Sequence, residues 1–189
     1  MEGQPVVSPL PITARELPVE RLEYLFDRHH DRLYRFARRL APSMDDALDL
    51  VQDTFLKGAR SLNSIPTESL SEQEAWLIRI LLNVQKDQWR KTQVRVRHAS
   101  ASMAAEAMNN SPSPEDAVIA RTTIWSALDR LHPRRRAVLV MHELDAIPVP
   151  EIARTLAISA ITVRWHLAVG RRELARALKP FTGENHEKH

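Results

Sequence analysis

Apolar residues recur at spacings of three and four through nearly the whole chain, and this restricts it to an all-helical fold. Leu22, Leu25, Phe26, Leu33, Phe36, Ala37 and Leu40 follow that rule, with Arg, Asp and Glu filling the intervening positions. Pro42-Ser43 breaks the pattern, and Ser43 with Asp46 three residues on resembles a capping box in which Asp replaces Glu. The next helix places Leu48, Val51, Phe55 and Ala59 on one face. A loop over 61–71 precedes a third helix from about Ser71 to Arg97, whose inner side is Trp76, Leu77, Ile80, Leu81 and Val84. Glycine supports the same conclusion. The chain has 4 glycines among 189 residues, too few for a β-rich fold or a phosphate-cradling loop, and neither common nucleotide-binding glycine motif can be assembled.

Composition divides the chain. Residues 1–18 carry four prolines and no apolar period, and read as a flexible tail. Residues 99–114 are small and polar, end in two Ser-Pro pairs, and read as a flexible linker. The expected organisation is two small helical domains, 19–98 and 115–180, with a C-terminal tail over 181–189. Charge follows the same division: formally +5 over 76–98, −3 over 99–120 and +5 over 121–189. Two basic blocks separated by an acidic stretch suggest two separate polyanion contacts.

In the first block, Arg79, Asn83, Lys86, Arg90, Gln93 and Arg97 step by three and four and share one helix stripe. A solvated face and a contact with an anionic partner are both open readings. Asp87 is the one acidic neighbour, and a stripe that repels itself favours the partner.

The second domain reads as four helices: Ala117 to Leu131, a helix opened by Pro133 and running to about His142, a short one over 149–156, and a long one after Ser159. Ser159 is a good N-cap. Small Ala153, apolar Ile158 and β-branched Val163 have helix-turn-helix spacing, in which the second helix crosses over residue 153. Leu167, Leu174 and Leu178 continue the inner face. A helical hairpin in an unrelated core is the alternative. Ala157 stands where glycine often supplies a left-handed turn. If the motif holds, Ile161, Arg164, Trp165 and Ala168 face base edges, Arg171 and Arg172 reach phosphates, and Arg134, Arg135 and Arg136 suit the DNA backbone.

Catalytic chemistry has no residue set to carry it. His142-Glu143 begins like H-E-x-x-H, but the second histidine position is Ala146. His29 and His30 are adjacent, so they diverge by about 100° on a helix. Asp45, Asp46, Asp49 and Asp53 form an acidic edge better explained by helix-start chemistry or a protein contact than by a metal. There is no cysteine, hence no disulfide or thiolate metal site. No cofactor is expected. The longest apolar run, Ala137–Met141, is five residues, so no membrane insertion is expected, and no secretory signal opens the chain. A cytoplasmic location is expected.

The strings DALDLVQDTFLKGAR (46–60), WLIRILLNVQKDQWRK (76–91) and ALDRLHPRRRAVLVMHELDAIPVPEIARTLAISAITVRWHL (127–167) resemble a bacterial sigma factor of the extracytoplasmic-function group, which keeps only the second and fourth sigma regions. The resemblance implies a non-enzymatic subunit that binds core RNA polymerase and directs it to promoters. It implies that Asp49, Gln52, Asp53, Phe55 and Lys57 grip the β′ clamp helices. It implies that the loop 61–75 and the third helix, through Arg79, Asn83, Lys86, Arg90 and Arg97, read the −10 element as a melted strand. Asn83 and Asp87 match the family's N-x-x-x-D positions.

The second domain then contacts the β flap and reads the −35 duplex, with Arg134, Arg135, Thr162, Arg164, Trp165, Ala168, Arg171 and Arg172 toward DNA. Here the chain departs from the family pattern. His166 and Val169 stand where basic residues are usual, and Ile161 replaces a common glycine. An anti-sigma factor is the implied regulator, with the linker letting the domains close around it or spread along a promoter. The alternative is a stand-alone dimeric helix-turn-helix transcriptional regulator, which would bind two spaced half-sites without polymerase. A helical interaction module without nucleic acid is the third reading.

Overall fold

The computed structural model describes residues 18–66, 69–102 and 124–182. Among these the chain is helical, with no strand. The elements are α1 (Pro18–Arg38), α2 (Met44–Ala59), α3 (Leu70–Ser102), α4 (124–129), α5 (Pro133–Leu139), α6 (Val149–Leu156) and α7 (Ala160–Thr182). A 3-10 turn, Leu62–Ser64, joins α2 to α3, and a π-helical turn, Val140–Leu144, continues α5. The expected tail 1–18 lies outside the described residues except for its last position. So do most of the linker, the start of the helix expected from Ala117, and most of the tail 181–189. The third helix runs to Ser102, past the expected end at Arg97 and into the linker composition.

The first module is a three-helix bundle. Leu25, Leu33, Ala37 and Leu40 of the α1 segment pack against Ala47, Leu50 and Val51 of α2 and against Leu77 and Leu81 of α3. These side chains are almost wholly buried, each worth about 1.5–3 kcal/mol of apolar transfer for the larger ones. Ser43 caps α2 by accepting from the Asp46 backbone N–H at 3.1 Å. The return arm of the capping box is absent, because aspartate is one methylene shorter than glutamate. Its carboxylate instead accepts from the Ser43 hydroxyl at 2.6 Å.

The buried face of α2 is rotated from the expected one. It consists of Ala47, Leu50, Val51, Thr54, Phe55 and Gly58, whereas Leu48 is exposed and Ala59 half-buried. Apolar and small residues cover about half of the helix circumference, wider than the side that packs, so spacing alone does not fix which of them turn inward.

The second module is built on α5 and α7. His132 caps α5, its Nδ1 accepting from the Arg134 backbone N–H, and Pro133 fills the first turn. Gly170 lets α7 approach α5 closely: a Cβ there would lie 2.9 Å from Leu139 Cδ1. The turn between α6 and α7 is a Schellman motif. Ile158 N–H donates to Ala153 O at 3.0 Å and Ala157 N–H to Arg154 O at 3.2 Å, with Ala157 left-handed at φ 52°. Ser159 then caps α7 by accepting from Thr162 N–H at 3.0 Å. Ile152, Leu156, Val163 and Leu167 form the buried wedge between the two helices.

The modules touch along α3 and just past the end of α1. Arg79 Nη1 donates to the Thr155 carbonyl at the end of α6 at 2.9 Å, Arg39 pairs with Asp145, and the Trp89 ring meets His132 edge-on at 5.2 Å. The buried apolar residues of the two modules form one cluster across this contact, which includes Ile78 and Leu81 of α3 and Leu131, Met141 and Ile152 of the second module. A cleft of about 840 Å³ opens at the contact, lined among others by Arg32, Glu72, Glu74, Arg79, Glu151 and Arg154.

Candidate nucleic-acid interface

Three surfaces carry the residues singled out above. On α2, Asp49, Gln52 and Asp53 are exposed on the outer side, and Lys57 reaches across to Asp87 of α3 at 3.2 Å. Asp53 accepts from Gln88 Nε2 at 3.2 Å. Phe55 is a correction. Its spacing from Val51 turns it inward, where it is 6% exposed and its ring lies 5.0 Å from that of Phe26. It therefore supports the surface without being part of it. The sequence reading passed over the apolar side of the same surface: Met44, Leu48 and Leu56 on α2, with Phe26 on α1, are about half exposed. The i, i+4 repeat 44, 48, 56 with Gln52 between was the available signal.

On α3, Asn83 and Arg90 are exposed and Lys86 half-buried, and none of the three has a side-chain hydrogen-bond or ion-pair partner among the described residues. Arg79 departs from the stripe, half-buried and held by the Thr155 carbonyl of the other module. Arg97 lies on the same helix, two turns beyond Arg90. Trp89 is half-buried against His132.

On the second module, Arg164, Trp165 and Ala168 are exposed on α7, with Thr162 half-buried beside them. The Thr162 hydroxyl is engaged with Ser159 Oγ at 2.8 Å. The arginines nearby are less available than their number suggests. Arg135 Nη1 meets Glu173 at 2.6 Å and its guanidinium sits 5.4 Å over the Trp165 ring. Arg136 is 4% exposed and paired with Asp129. Arg171 Nε meets Glu143 at 3.0 Å, which holds that carboxyl below its ordinary range. Arg172 donates to the Ala168 carbonyl at 3.3 Å. The side chains of Arg134 and Arg164 have no hydrogen-bond or ion-pair partner among the described residues.

His166, which stands where the family commonly has a basic residue, is 9% exposed and faces inward. Burial, followed by the charges of Arg134 and Arg135, lowers its pKa. His132 is lowered by burial too, and then by Arg135, Arg134, Lys86 and Arg90. His29 is also lowered by burial, against a 3.1 Å hydrogen bond to Gln73.

No group of three or more metal-ligating side chains converges among the described residues. No helix among them is long and apolar enough to cross a membrane.

The chain matches the Sigma-70 region 2 family over residues 25–95 and the Sigma-70, region 4 family over 121–174. It is 32% identical over 165 residues to the sigma factor SigE of Mycolicibacterium smegmatis, a match spanning 85% of this chain and 62% of SigE. It is 31% identical over 158 residues to the sigma factor SigM of Mycobacterium tuberculosis, spanning 82% of this chain and 76% of SigM. In fold it is similar to the sigma factor RpoE of Bartonella quintana, solved in complex with the anti-sigma factor NepR. There the TM-score is 0.53 at 24% identity, over 85% of this chain and 96% of that one. The stand-alone regulator reading does not survive two sigma regions in this order. The chain belongs to the extracytoplasmic-function group of sigma-70 RNA polymerase sigma factors.

Proposed function

We propose that this sigma factor divides promoter recognition among its three surfaces. The outer side of α2, with Asp49, Gln52, Asp53 and Lys57 around the apolar residues Met44, Leu48 and Leu56, receives the β′ clamp helices of core polymerase. An acidic edge on an apolar patch suits a basic helical partner, with charge setting orientation and burial giving affinity. The α3 stripe, through Asn83, Lys86, Arg90 and Arg97, tracks the phosphates of the melted −10 strand while the loop before it receives bases. The α7 face, with Arg134, Thr162, Arg164, Trp165, Ala168 and Arg172, enters the −35 duplex, and the second module also meets the β flap.

The observation that carries this reading is the pair of exposed surfaces on α3 and α7. They sit on separate modules and are joined by enough chain to serve two promoter elements.

An anti-sigma factor would act by holding the modules together; the sigma factor RpoE, similar in fold, was solved in complex with the anti-sigma factor NepR. The domain limits 19–98 and 115–180, the flexible linker 99–114 and a cytoplasmic site of action belong to the same proposal, and no catalytic step is assigned to the chain. The deciding experiment is co-migration of the purified chain with core RNA polymerase on size exclusion, followed by transcription from the promoter upstream of its own gene. A stable complex and new specific transcripts are expected. A chain that ignores polymerase while shifting duplex DNA as a dimer would overturn the assignment.

A further inference from the structure

We propose that the recognition helix identifies its −35 duplex chiefly by thymine methyl groups, through Ile161, Trp165 and Ala168. This rests on α7 being the −35 reader. The three residues stand at i, i+4 and i+7 and so occupy one narrow stripe of the first two turns. Ile161 is 77% exposed, more than any other large apolar side chain described, and Trp165 is 52% exposed. A folded chain has no reason of stability to leave such a stripe in water.

Hydrogen-bonding readout from the same turns is sparse. Thr162 is engaged with Ser159, which leaves Arg164 as the one long polar side chain there without a partner among the described residues. In the major groove the thymine C5-methyl is the apolar group on a base edge, and apolar side chains are its match.

Trp165 is also held in place. The Arg135 guanidinium lies over its ring at 5.4 Å, Glu173 fixes that guanidinium at 2.6 Å, and the His166 ring meets it edge-on at 4.9 Å. A braced aromatic loses little freedom on binding. Arg135 is thus a positioning residue for Trp165. The cationic rim formed by Arg134, Arg164 and Arg172 favours a duplex as occupant over an apolar protein face, because phosphates flank the groove on both sides.

The test uses the holoenzyme assembled from the full chain and core polymerase. A promoter duplex randomised at the −35 element is selected for binding. The selected sequence is then synthesised with deoxyuridine in place of each thymidine, which removes the methyl and keeps every hydrogen-bonding group. Affinity is expected to fall about fourfold for each contacted methyl, and about fifteenfold for two. Ile161→Ala and Trp165→Ala should each abolish the thymidine preference at their own positions, with unchanged helical circular dichroism. Arg135→Ala should weaken the Trp165-dependent preference and leave that of Ile161 intact.

Selection of a sequence free of thymine on both strands, or equal affinity for thymidine and deoxyuridine duplexes despite a clear sequence preference, would overturn methyl reading while leaving −35 reading in place. Failure to select any sequence would remove the −35 reading itself. Loss of core-polymerase affinity in Trp165→Ala, with the duplex preference unaltered, would reassign the stripe to a protein partner.

Discussion

The first and second modules carry equal formal charge in their basic segments, +5 over 76–98 and +5 over 121–189, but present it differently. On α3, Lys86 and Arg90 have no partner among the described residues. On the second module Arg135, Arg136 and Arg171 are each engaged by a carboxylate of the same module, and the exposed surface of the recognition helix combines the apolar Ile161 and Trp165 with Arg164. Net charge read along a sequence counts cations; it does not say which of them remain unpaired after folding. The first surface suits a mobile strand whose phosphates must be tracked, and the second a duplex whose grooves have a fixed shape.

The largest expected effect sharpens the contrast by touching the surface that is neither cationic nor apolar alone. Asp53→Arg puts a positive charge on the acidic edge of α2, where Asp53 is exposed and, among the described residues, bound only to Gln88. Core-polymerase affinity should fall about a hundredfold, as for loss and reversal of an interfacial charge, with the melting temperature unchanged to within about 2 °C. Affinity measured by competition with the wild-type chain checks this, and undiminished binding would move the polymerase contact elsewhere.

The next effect breaks the comparison if it is wrong. Lys86→Ala with Arg90→Ala should make the salt dependence of open-complex formation shallower by roughly 1.4 in log–log slope, about 0.7 for each single-strand phosphate contact. Arg171→Ala should change the slope little, because Glu143 already neutralises that guanidinium. Arg164→Ala should lower discrimination at one base pair of the −35 element by roughly tenfold. Equal slopes for the α3 double variant and Arg171→Ala would mean that internal pairing does not govern which cations reach DNA.

Much of this organisation was legible in the sequence, and the parts that were not share a cause. Helix positions, the caps at Ser43 and Ser159 and the turn from Ala153 through Ile158 to Val163 depend on neighbours within about five residues, so local pattern suffices. The inward turn of Phe55, the outward turn of Leu48 and the burial of His166 depend on what packs against each helix. Leu48 and Phe55 both satisfy an apolar period, and only α1 and α3 decide between them. The hold of Arg79 on Thr155 joins residues 76 positions apart, and no periodicity reports such a contact. On the candidate surfaces, sequence placed the cations on helices; it could not show that Glu173, Asp129 and Glu143 would occupy three of them.

Acid should separate the modules by stability. The pKa of His29 is lowered in the first module, and those of His132 and His166 in the second, all from an ordinary 6.5. A histidine whose folded pKa is lowered binds fewer protons folded than unfolded. Its contribution is therefore complete above about pH 6.5 and is lost as pH falls below that value. Around His132 stand Lys86, Arg90, Arg134 and Arg135; around His166 stand Arg134, Arg135 and His132; around His29 the arginines Arg28 and Arg32 are offset by Glu74. Chemical denaturation at pH 7.5 and pH 5.5 should show a loss in acid. A His132→Gln, His166→Gln double variant should reduce that loss more than His29→Gln does. A larger reduction from His29→Gln would place the acid sensitivity in the first module.

The smallest effect concerns strain, which is also unequally placed. The two non-glycine residues with positive φ among those described, Ala146 at 53° and Ala157 at 52°, both lie in the second module. At Ala157 the left-handed backbone is required by the Schellman turn that aims α7 away from α6, so the residue cannot relax without moving the recognition helix. An L-residue with a Cβ pays roughly 1–2 kcal/mol there. Glycine removes that cost but adds freedom to the unfolded chain worth about 0.4–1 kcal/mol in the opposite sense. Ala157→Gly should therefore stabilise the protein by a net of about 0.5 kcal/mol, seen as a rise of roughly 1–2 °C in melting temperature. Because the turn geometry is already the one glycine prefers, duplex preference should not change. A stabilised variant with altered −35 preference would show instead that alanine's Cβ helps set the angle of α7, making strain in this turn part of how the second module reads DNA.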